Sequence, residues 1–177
     1  NSTPNVVATA ATTITGNHAD ITTAVSSGSI TQASNVALTA ADTMTSDELA
    51  SMDALTTGII TANIEDVAMT DLAAIADANS NNALTITVTD TSVAAAALNT
   101  LDGLTSVNVT ATAATAMTGT AAAIATALSS TTIDHNATNI TATVDAGSVA
   151  ASDLNTIDSN STPNVVATAA TTITGNH

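Results

Sequence analysis

The chain has 177 residues, with 15 acidic residues, no Lys or Arg and a formal net charge of −15. Such a surface cannot neutralise phosphates, so nucleic acid is not expected as a partner, and it offers no polybasic membrane patch. The long uncharged stretch 103–133 is rich in Thr, Ser, Asn and Gly, so no membrane insertion is expected. The chain also has no aromatic residue and no Cys. Its core must therefore be built from aliphatic side chains and Ala, without disulfides.

Short helical patterns follow one another along the chain, and most pair an aliphatic anchor with a second apolar residue three or four positions later. Polar residues that suit helix starts precede several of them. Thr45 with Glu48 fits a capping box, and Thr70 and Ser152 are candidate caps. The anchors are Ile21, Leu49, Leu72, Leu98, Ile124 and Leu154.

Segments with alternating hydrophobicity lie between the helical patterns and predict strands, most clearly at 84–88, 107–111 and 140–144. Glycines with nearby Asn and Asp mark the turns. Two strands separated by a helical pattern cannot form a hairpin. This order predicts parallel pairing through a short crossover.

Residues 1–18 and 160–177 are identical, at an offset of 159 residues. The anchor spacings, continued to the next copy of Ile21, are 28, 23, 26, 26, 30 and 26 residues, which fill that period. The sequence therefore predicts one continuous domain over 1–177, a right-handed solenoid of six rungs plus an 18-residue overlap into the next copy. Each rung would carry a parallel strand and a short helix; an all-β parallel β-helix is the alternative.

Two sets of acidic residues would stack in columns if the rungs pair as a sheet. Neighbouring carboxylates could bind Ca²⁺, which takes several oxygen ligands, or they could be turn residues and solubilising charges. The glycine-rich nonapeptide of calcium-binding β-rolls is absent, which weakens the case for calcium. We expect no required cofactor, and Ca²⁺ is the candidate metal. The strand-end set is Asp42, Asp66, Asp90 and Asp145; the set that follows the helices is Asp53, Asp77, Asp102 and Asp158.

Threonines in a Thr-x-Thr pattern follow the predicted strands, at 85–89, 110–112 and 141–143. Thr is an ordinary strand former on a solvent face, but flat Thr arrays also resemble the surfaces of ice-binding proteins. Asn63 and Asn108 interrupt the array.

Catalytic chemistry has little support in the residue inventory, and no catalytic residue is assigned. His18 and His135 are the two distinct histidines, since His177 copies His18, and neither lies at a metal-ligand spacing. We expect His135 and the preceding Asp134 to be a solvated pair. The sequence therefore predicts that the protein is not an enzyme.

Three segments resemble repeats in very large Thr/Ala-rich cell-surface proteins of marine cyanobacteria. They are DLNTID at 153–158, LNTLDGLTS at 98–106 and TGTAAAIATALSS at 118–130. The resemblance implies an extracellular or cell-surface location.

A structural filament or stalk segment is therefore the expected function, and an adhesin or other surface-binding role, to ice or to another cell, is the alternative. Further copies of the repeat, lateral self-association and cations are the expected partners. Because the chain has no Lys or Arg to offset the acidic residues, we also expect its stability to rise with ionic strength. Stability should also rise as the pH falls toward the range in which carboxyl groups titrate.

Overall fold

The computed structural model describes residues 5–75 and 81–175. Six α-helices lie within this part of the chain, and a 3₁₀ turn (Ala73–Ile75) directly extends the third, which is itself a single turn. A second 3₁₀ turn covers Ala137–Asn139. The helices are α1 (His18–Ser26), α2 (Ser46–Asp53), α3 (Met69–Leu72), α4 (Ala95–Gly103), α5 (Ala121–Ser129) and α6 (Ala151–Asn160).

Thirteen strands lie among the described residues, and most have two to five residues. Val, Ile and Thr are frequent in them, as expected for pleated, half-buried segments. In chain order they are β1 (Val6–Ala8), β2 (Thr13–Gly16), β3 (Ile30–Gln32), β4 (Ala37–Met44), β5 (Ile60–Ile64), β6 (Ala83–Thr85), β7 (Ser92–Ala94), β8 (Val109–Thr110), β9 (Ala116–Gly119), β10 (Ile133–Asp134), β11 (Thr141–Val144), β12 (Gly147–Ala150) and β13 (Ala170–Thr174).

All the strand pairs of the described residues are parallel, as the sequence predicted. The partners are one crossover apart: Val6 lies opposite Ile30, and Thr43 lies opposite Asn63. The strands form five small sheets, with the orders β1-β3, β2-β4-β5-β6, β7-β9-β11, β8-β10 and β12-β13.

The prediction of a right-handed solenoid is wrong. The described residues form a mixed α/β fold with six helices and five short parallel sheets, none of them closed or solenoid-like. The ladders end early because the strands are short and the register shifts within the β4–β5 and β12–β13 pairs. No repeating structural unit is evident, since α3 is one turn whereas α6 has ten residues. The all-β alternative is also wrong, because helices carry much of the core.

The chain groups into two compact units. The first contains the described residues within 1–66, 71–86 and 104–107, and includes α1, α2 and the sheets β1-β3 and β2-β4-β5-β6. The second contains residues 67–70 and 87–103 with the described residues from 108 onward, and includes α4, α5, α6 and the other three sheets. That the whole chain is a single continuous domain stays a prediction.

The predicted helix anchors provide much of the core. Five of the six are almost fully inaccessible to solvent, at 0–1% exposure, whereas Leu154 is half-buried. Burial of an aliphatic side chain of this size contributes about 1.5–3 kcal/mol. The five buried anchors are Ile21, Leu49, Leu72, Leu98 and Ile124. Among the described residues, no helix is long and apolar enough to cross a membrane.

Gly58 lies where the turn after α2 passes directly against the backbone of residues 35 and 36. A Cβ at Gly58 would lie within 3.0 Å of the carbonyl oxygens of Asn35 and Val36. The Gly58 N–H donates to Thr56 Oγ1 at 2.9 Å, and the Thr56 hydroxyl donates to the Val36 carbonyl at 2.6 Å. The site therefore has no room for a side chain.

We predict that Gly58→Ala lowers the free energy of unfolding by about 1–3 kcal/mol, because backbone atoms must move to admit the methyl group. Gly103→Ala is the matched control, since no atom lies within 4 Å of the corresponding Cβ. It should leave stability unchanged or slightly raised. Urea unfolding followed by circular dichroism measures both, and equal stability of the two variants would contradict the prediction.

Candidate functional site

Three of the four strand-end aspartates accept a hydrogen bond from the first residue of an earlier helix. Asp42 Oδ1 lies 2.8 Å from the His18 nitrogen at the start of α1. Asp66 Oδ2 lies 2.6 Å from the Ser46 nitrogen at the start of α2.

In the second unit, Asp90 Oδ2 lies 2.8 Å from the Met69 nitrogen at the start of α3. These aspartates follow the helix starts by 24, 20 and 21 residues, respectively.

These bonds satisfy a specific need of the helices. The first N–H groups of a helix have no partner within the helix, and the aligned peptide dipoles leave partial positive charge there. A carboxylate from a later segment supplies both an acceptor and a negative charge. Asp42, Asp66 and Asp90 therefore join segments about 20 residues apart and compensate charge in a chain without Lys or Arg.

His18 lies between two carboxylates in the first unit. Its Nδ1 is 2.9 Å from Asp42 Oδ2, and its Nε2 is 3.1 Å from Glu48 Oε1. The His18 side chain is 23% exposed, and those of Asp42 and Glu48 are 39% and 44% exposed. A doubly protonated imidazole donates to both carboxylates. Because the two ring nitrogens engage different carboxylates, the three side chains do not converge on one metal position.

The hydrogen bonds of this cluster lower two carboxyl pKa values. Desolvation raises the pKa of Asp42, but the hydrogen bonds from the His18 N–H, its own backbone and the His18 ring together bring it below its usual value. The pKa of Glu48 is lowered first by hydrogen bonds from the Thr45 N–H and hydroxyl, and further by His18. Both groups therefore favour their charged forms in the folded chain.

The capping box predicted from the sequence is confirmed. Thr45 Oγ1 accepts from the Glu48 N–H at 3.2 Å, and Glu48 Oε2 accepts from the Thr45 N–H at 2.8 Å. The other two predicted caps are wrong, because Thr70 and Ser152 lie inside α3 and α6. For α3, the distant Asp90 carboxylate takes the acceptor role.

The aspartates that follow the helices have dissimilar surroundings. Asp53 Oδ1 accepts from Nδ2 of the fully buried Asn82 at 3.0 Å, and Asn82 Oδ1 accepts from the Ile60 N–H at 2.8 Å. Asp53 also borders an open depression of about 330 Å³. Asp102 Oδ2 accepts from the hydroxyls of Ser130 and Thr132, at 3.3 and 2.9 Å.

The remaining predicted calcium ligands do not join these groups. Asp145 and Asp158 are exposed, and Asp77 lies outside the described residues. Asp158 borders an open depression of about 270 Å³. Within residues 5–75 and 81–175, no group of three or more His, Cys, Asp or Glu could hold a metal ion. Calcium binding stays a prediction.

His135 differs from its expected solvated state. Both of its ring nitrogens are buried and have no hydrogen-bond partner among the described residues. The neighbouring Asp134 instead accepts from the Asn108 side-chain amide at 3.2 Å. The Asp134 carboxylate therefore bonds to the residue directly before β8, whereas the ring nitrogens of the adjacent His135 are buried.

Threonines align across neighbouring strands of the four-stranded sheet. Thr15 lies opposite Thr39, and Thr39 lies opposite Thr61, but the next position in the row is Ala83. Thr15 and Thr61 are exposed, and Thr39 is half-buried. The outer face of this sheet thus carries a row of three hydroxyls.

No prediction from the sequence placed His18 beside Asp42 or Glu48. The spacing offered a signal: Asp42 follows the start of α1 by about as many residues as separate a strand from its next parallel partner. Aligning helix starts with the aspartates of the next segment would have found the contacts of Asp42, Asp66 and Asp90. No protein-family model, curated protein or solved structure matches the chain.

We predict that Asp66→Ala lowers the free energy of unfolding by about 0.5–2 kcal/mol, the usual effect of losing a helix cap. The Ser46 N–H would lose its 2.6 Å acceptor. Asp158→Ala removes the same charge from an exposed position and should change stability by less than about 0.5 kcal/mol. Chemical unfolding curves measure both variants, and a neutral Asp66→Ala would show that the bond contributes nothing net.

A second prediction concerns pH. Because the pKa values of Asp42 and Glu48 are lowered on folding, their stabilisation is present above the unfolded values of about 3.9 and 4.3. It is lost as the pH falls through the still lower folded values. At pH 7, Asp42→Asn should therefore melt at a lower temperature than the wild type, and the difference should shrink below about pH 4.

Thermal melts between pH 7 and pH 3 test this prediction, with Asp158→Asn as the control for loss of one charge. The control should melt at or above the wild-type temperature at pH 7, since it relieves repulsion. A wild-type advantage over Asp42→Asn that stays constant across the whole range would contradict a role for the carboxylate charge.

Proposed function

We propose that the chain is a structural, non-catalytic segment of an extracellular or cell-surface filament or stalk that contains tandem copies of this sequence. The observation that carries the proposal is the identity of residues 1–18 and 160–177. The second copy is packed into the fold: its strand β13 pairs in parallel with β12. The residues that begin one copy are thus held by the residues that end the copy before it.

The composition supports the same role. Repeats with small, similar side chains pack without large aromatic groups, and the acidic surface keeps a long chain soluble. The acidic side chains described above mainly support helix starts and turns. The resemblance to Thr/Ala-rich repeats of cell-surface proteins adds to the proposal. A high-salt environment would suit a surface of this charge, because salt screens the repulsion.

Chains with one, two and four 159-residue periods test the filament role by small-angle X-ray scattering. A filament segment should lengthen in proportion to copy number while its cross-section stays constant. A matched four-period chain with flexible Gly/Ser linkers between the periods should lose that proportionality. Maximum dimensions that grow no faster than those of the linker control would contradict the proposal. Antibody labelling of intact source cells tests the surface location, and label confined to permeabilised cells would contradict it.

A surface-binding role is the second candidate, favoured by the row Thr15–Thr39–Thr61, whose outer two members are exposed. The row would contact ice or another cell surface through hydroxyl and methyl groups. Thermal-hysteresis measurements on the chain and on a Thr15→Lys/Thr61→Lys variant test the ice-binding form. Equal freezing behaviour of both proteins and buffer would exclude it.

A further inference from the structure

Four Asn-x-Ser/Thr sequences, the acceptor pattern for N-linked glycans, lie within the described residues. Short patterns of this kind occur by chance in a chain rich in Asn and Thr, so the structure must decide which of them is usable. A transferase has to reach both the Asn amide and the hydroxyl two residues later, and the amide nitrogen must be free to react. The four acceptor candidates are Asn108, Asn136, Asn139 and Asn160.

The Asn136 sequence meets these requirements. Asn136 directly precedes the 3₁₀ turn Ala137–Asn139 between β10 and β11, and both Asn136 and Thr138 are exposed. The Thr138 hydroxyl donates to Asn136 Oδ1 at 2.7 Å, so the two functional groups of the pattern already lie together. This bond occupies the amide oxygen, and the amide nitrogen Nδ2 makes no hydrogen bond to any described residue.

Two of the other amides are engaged in the fold. Asn108 Nδ2 donates to Asp134 Oδ1 at 3.2 Å, and Asn160 Nδ2 donates to the Thr156 carbonyl at 2.8 Å. Val109, the middle residue of the first of these sequences, is completely buried and begins β8. Modification at either position would therefore break a hydrogen bond of the amide and disturb packed structure.

Asn139 is exposed, but its sequence continues into a paired strand. Its middle residue, Ile140, is completely buried, and the Thr141 N–H donates to the Thr115 carbonyl at 2.9 Å. A transferase that binds this sequence would have to detach the start of β11 from its neighbour. The segment 136–138 lies outside the strands, so it can enter a transferase site without the loss of a strand pair.

We propose that Asn136 is the attachment site of an N-linked glycan, transferred from a sugar that carries a diphosphate on its anomeric carbon. Nδ2 attacks that carbon, the bond from the carbon to the diphosphate oxygen breaks, and its electron pair leaves with the diphosphate. Nδ2 gives one proton to a base of the transferase, so the products are an N-glycosyl amide and the free diphosphate. A tandem chain would carry one such glycan in each 159-residue period. The modification goes beyond the proposed structural role.

Glycan transfer to the folded chain in vitro tests the proposal, in two arms that distinguish the donors. One arm contains an oligosaccharyltransferase and a lipid-diphosphate-linked oligosaccharide, and the other contains a soluble N-glycosyltransferase and UDP-glucose. Intact mass and peptide mapping measure the result. At least one arm should add a single glycan, at Asn136. The positive control is a peptide of residues 130–140, in which Asn136 begins the only complete acceptor sequence.

Matched variants separate this site from the others. Asn136→Gln and Thr138→Ala should each abolish the added mass, whereas Thr138→Ser keeps the hydroxyl and should retain it. Asn108→Gln is the control and should be modified like the wild type. All three positions are exposed, and circular dichroism verifies that each variant is folded.

The proposal is overturned if neither arm modifies Asn136 of the folded chain, whether or not the peptide is modified. It is also overturned if Asn136→Gln gains as much glycan as the wild type, because the acceptor then lies elsewhere. Neither result would affect the filament role, which the scattering of tandem chains tests separately.

Discussion

A carboxylate that accepts the first N–H of a helix about 20 residues earlier is the contact on which much of this fold depends. It recurs at Asp42, Asp66 and Asp90, whose partners are His18, Ser46 and Met69. In most proteins, acidic side chains find Lys or Arg, but this chain has neither. The partial positive charge at helix starts takes over that role. Each bond therefore compensates a charge and attaches a helix to the segment that follows it.

Local features were predictable from the sequence, and contacts between distant segments were not. The Thr45–Glu48 capping box depends on two residues three positions apart, and five buried anchors followed from helical spacing. Thr70 and Ser152 also had the chemistry of caps, yet both lie within their helices. Which acceptor satisfies a helix start depends on the tertiary neighbours, and a pattern of single residues does not contain that information.

The spacing of the anchors predicted parallel pairing correctly and the architecture incorrectly. A crossover length indicates which segments are adjacent, because a strand and its next parallel partner need a connection of that length. It does not indicate how far each ladder extends. Here the register shifts near Thr39 and Thr43 of β4, and helices differ from one turn to ten residues. The sheets therefore stay short and separate, although all the strand pairs of the described residues are parallel.

The duplicated segment separates what a sequence determines locally from what its neighbours determine. In both copies the same turn forms: the Ala11 N–H donates to the Ala8 carbonyl at 2.9 Å, and the Ala170 N–H donates to the Ala167 carbonyl at 3.1 Å. The exposure of Ile14 and Ile173 nevertheless differs: Ile14 is half-buried beside the later strand β4, whereas Ile173 is 61% exposed, and among the described residues β13 pairs only with β12. Identical residues thus form the same turn, while their strand pairing and burial depend on the segments beside them.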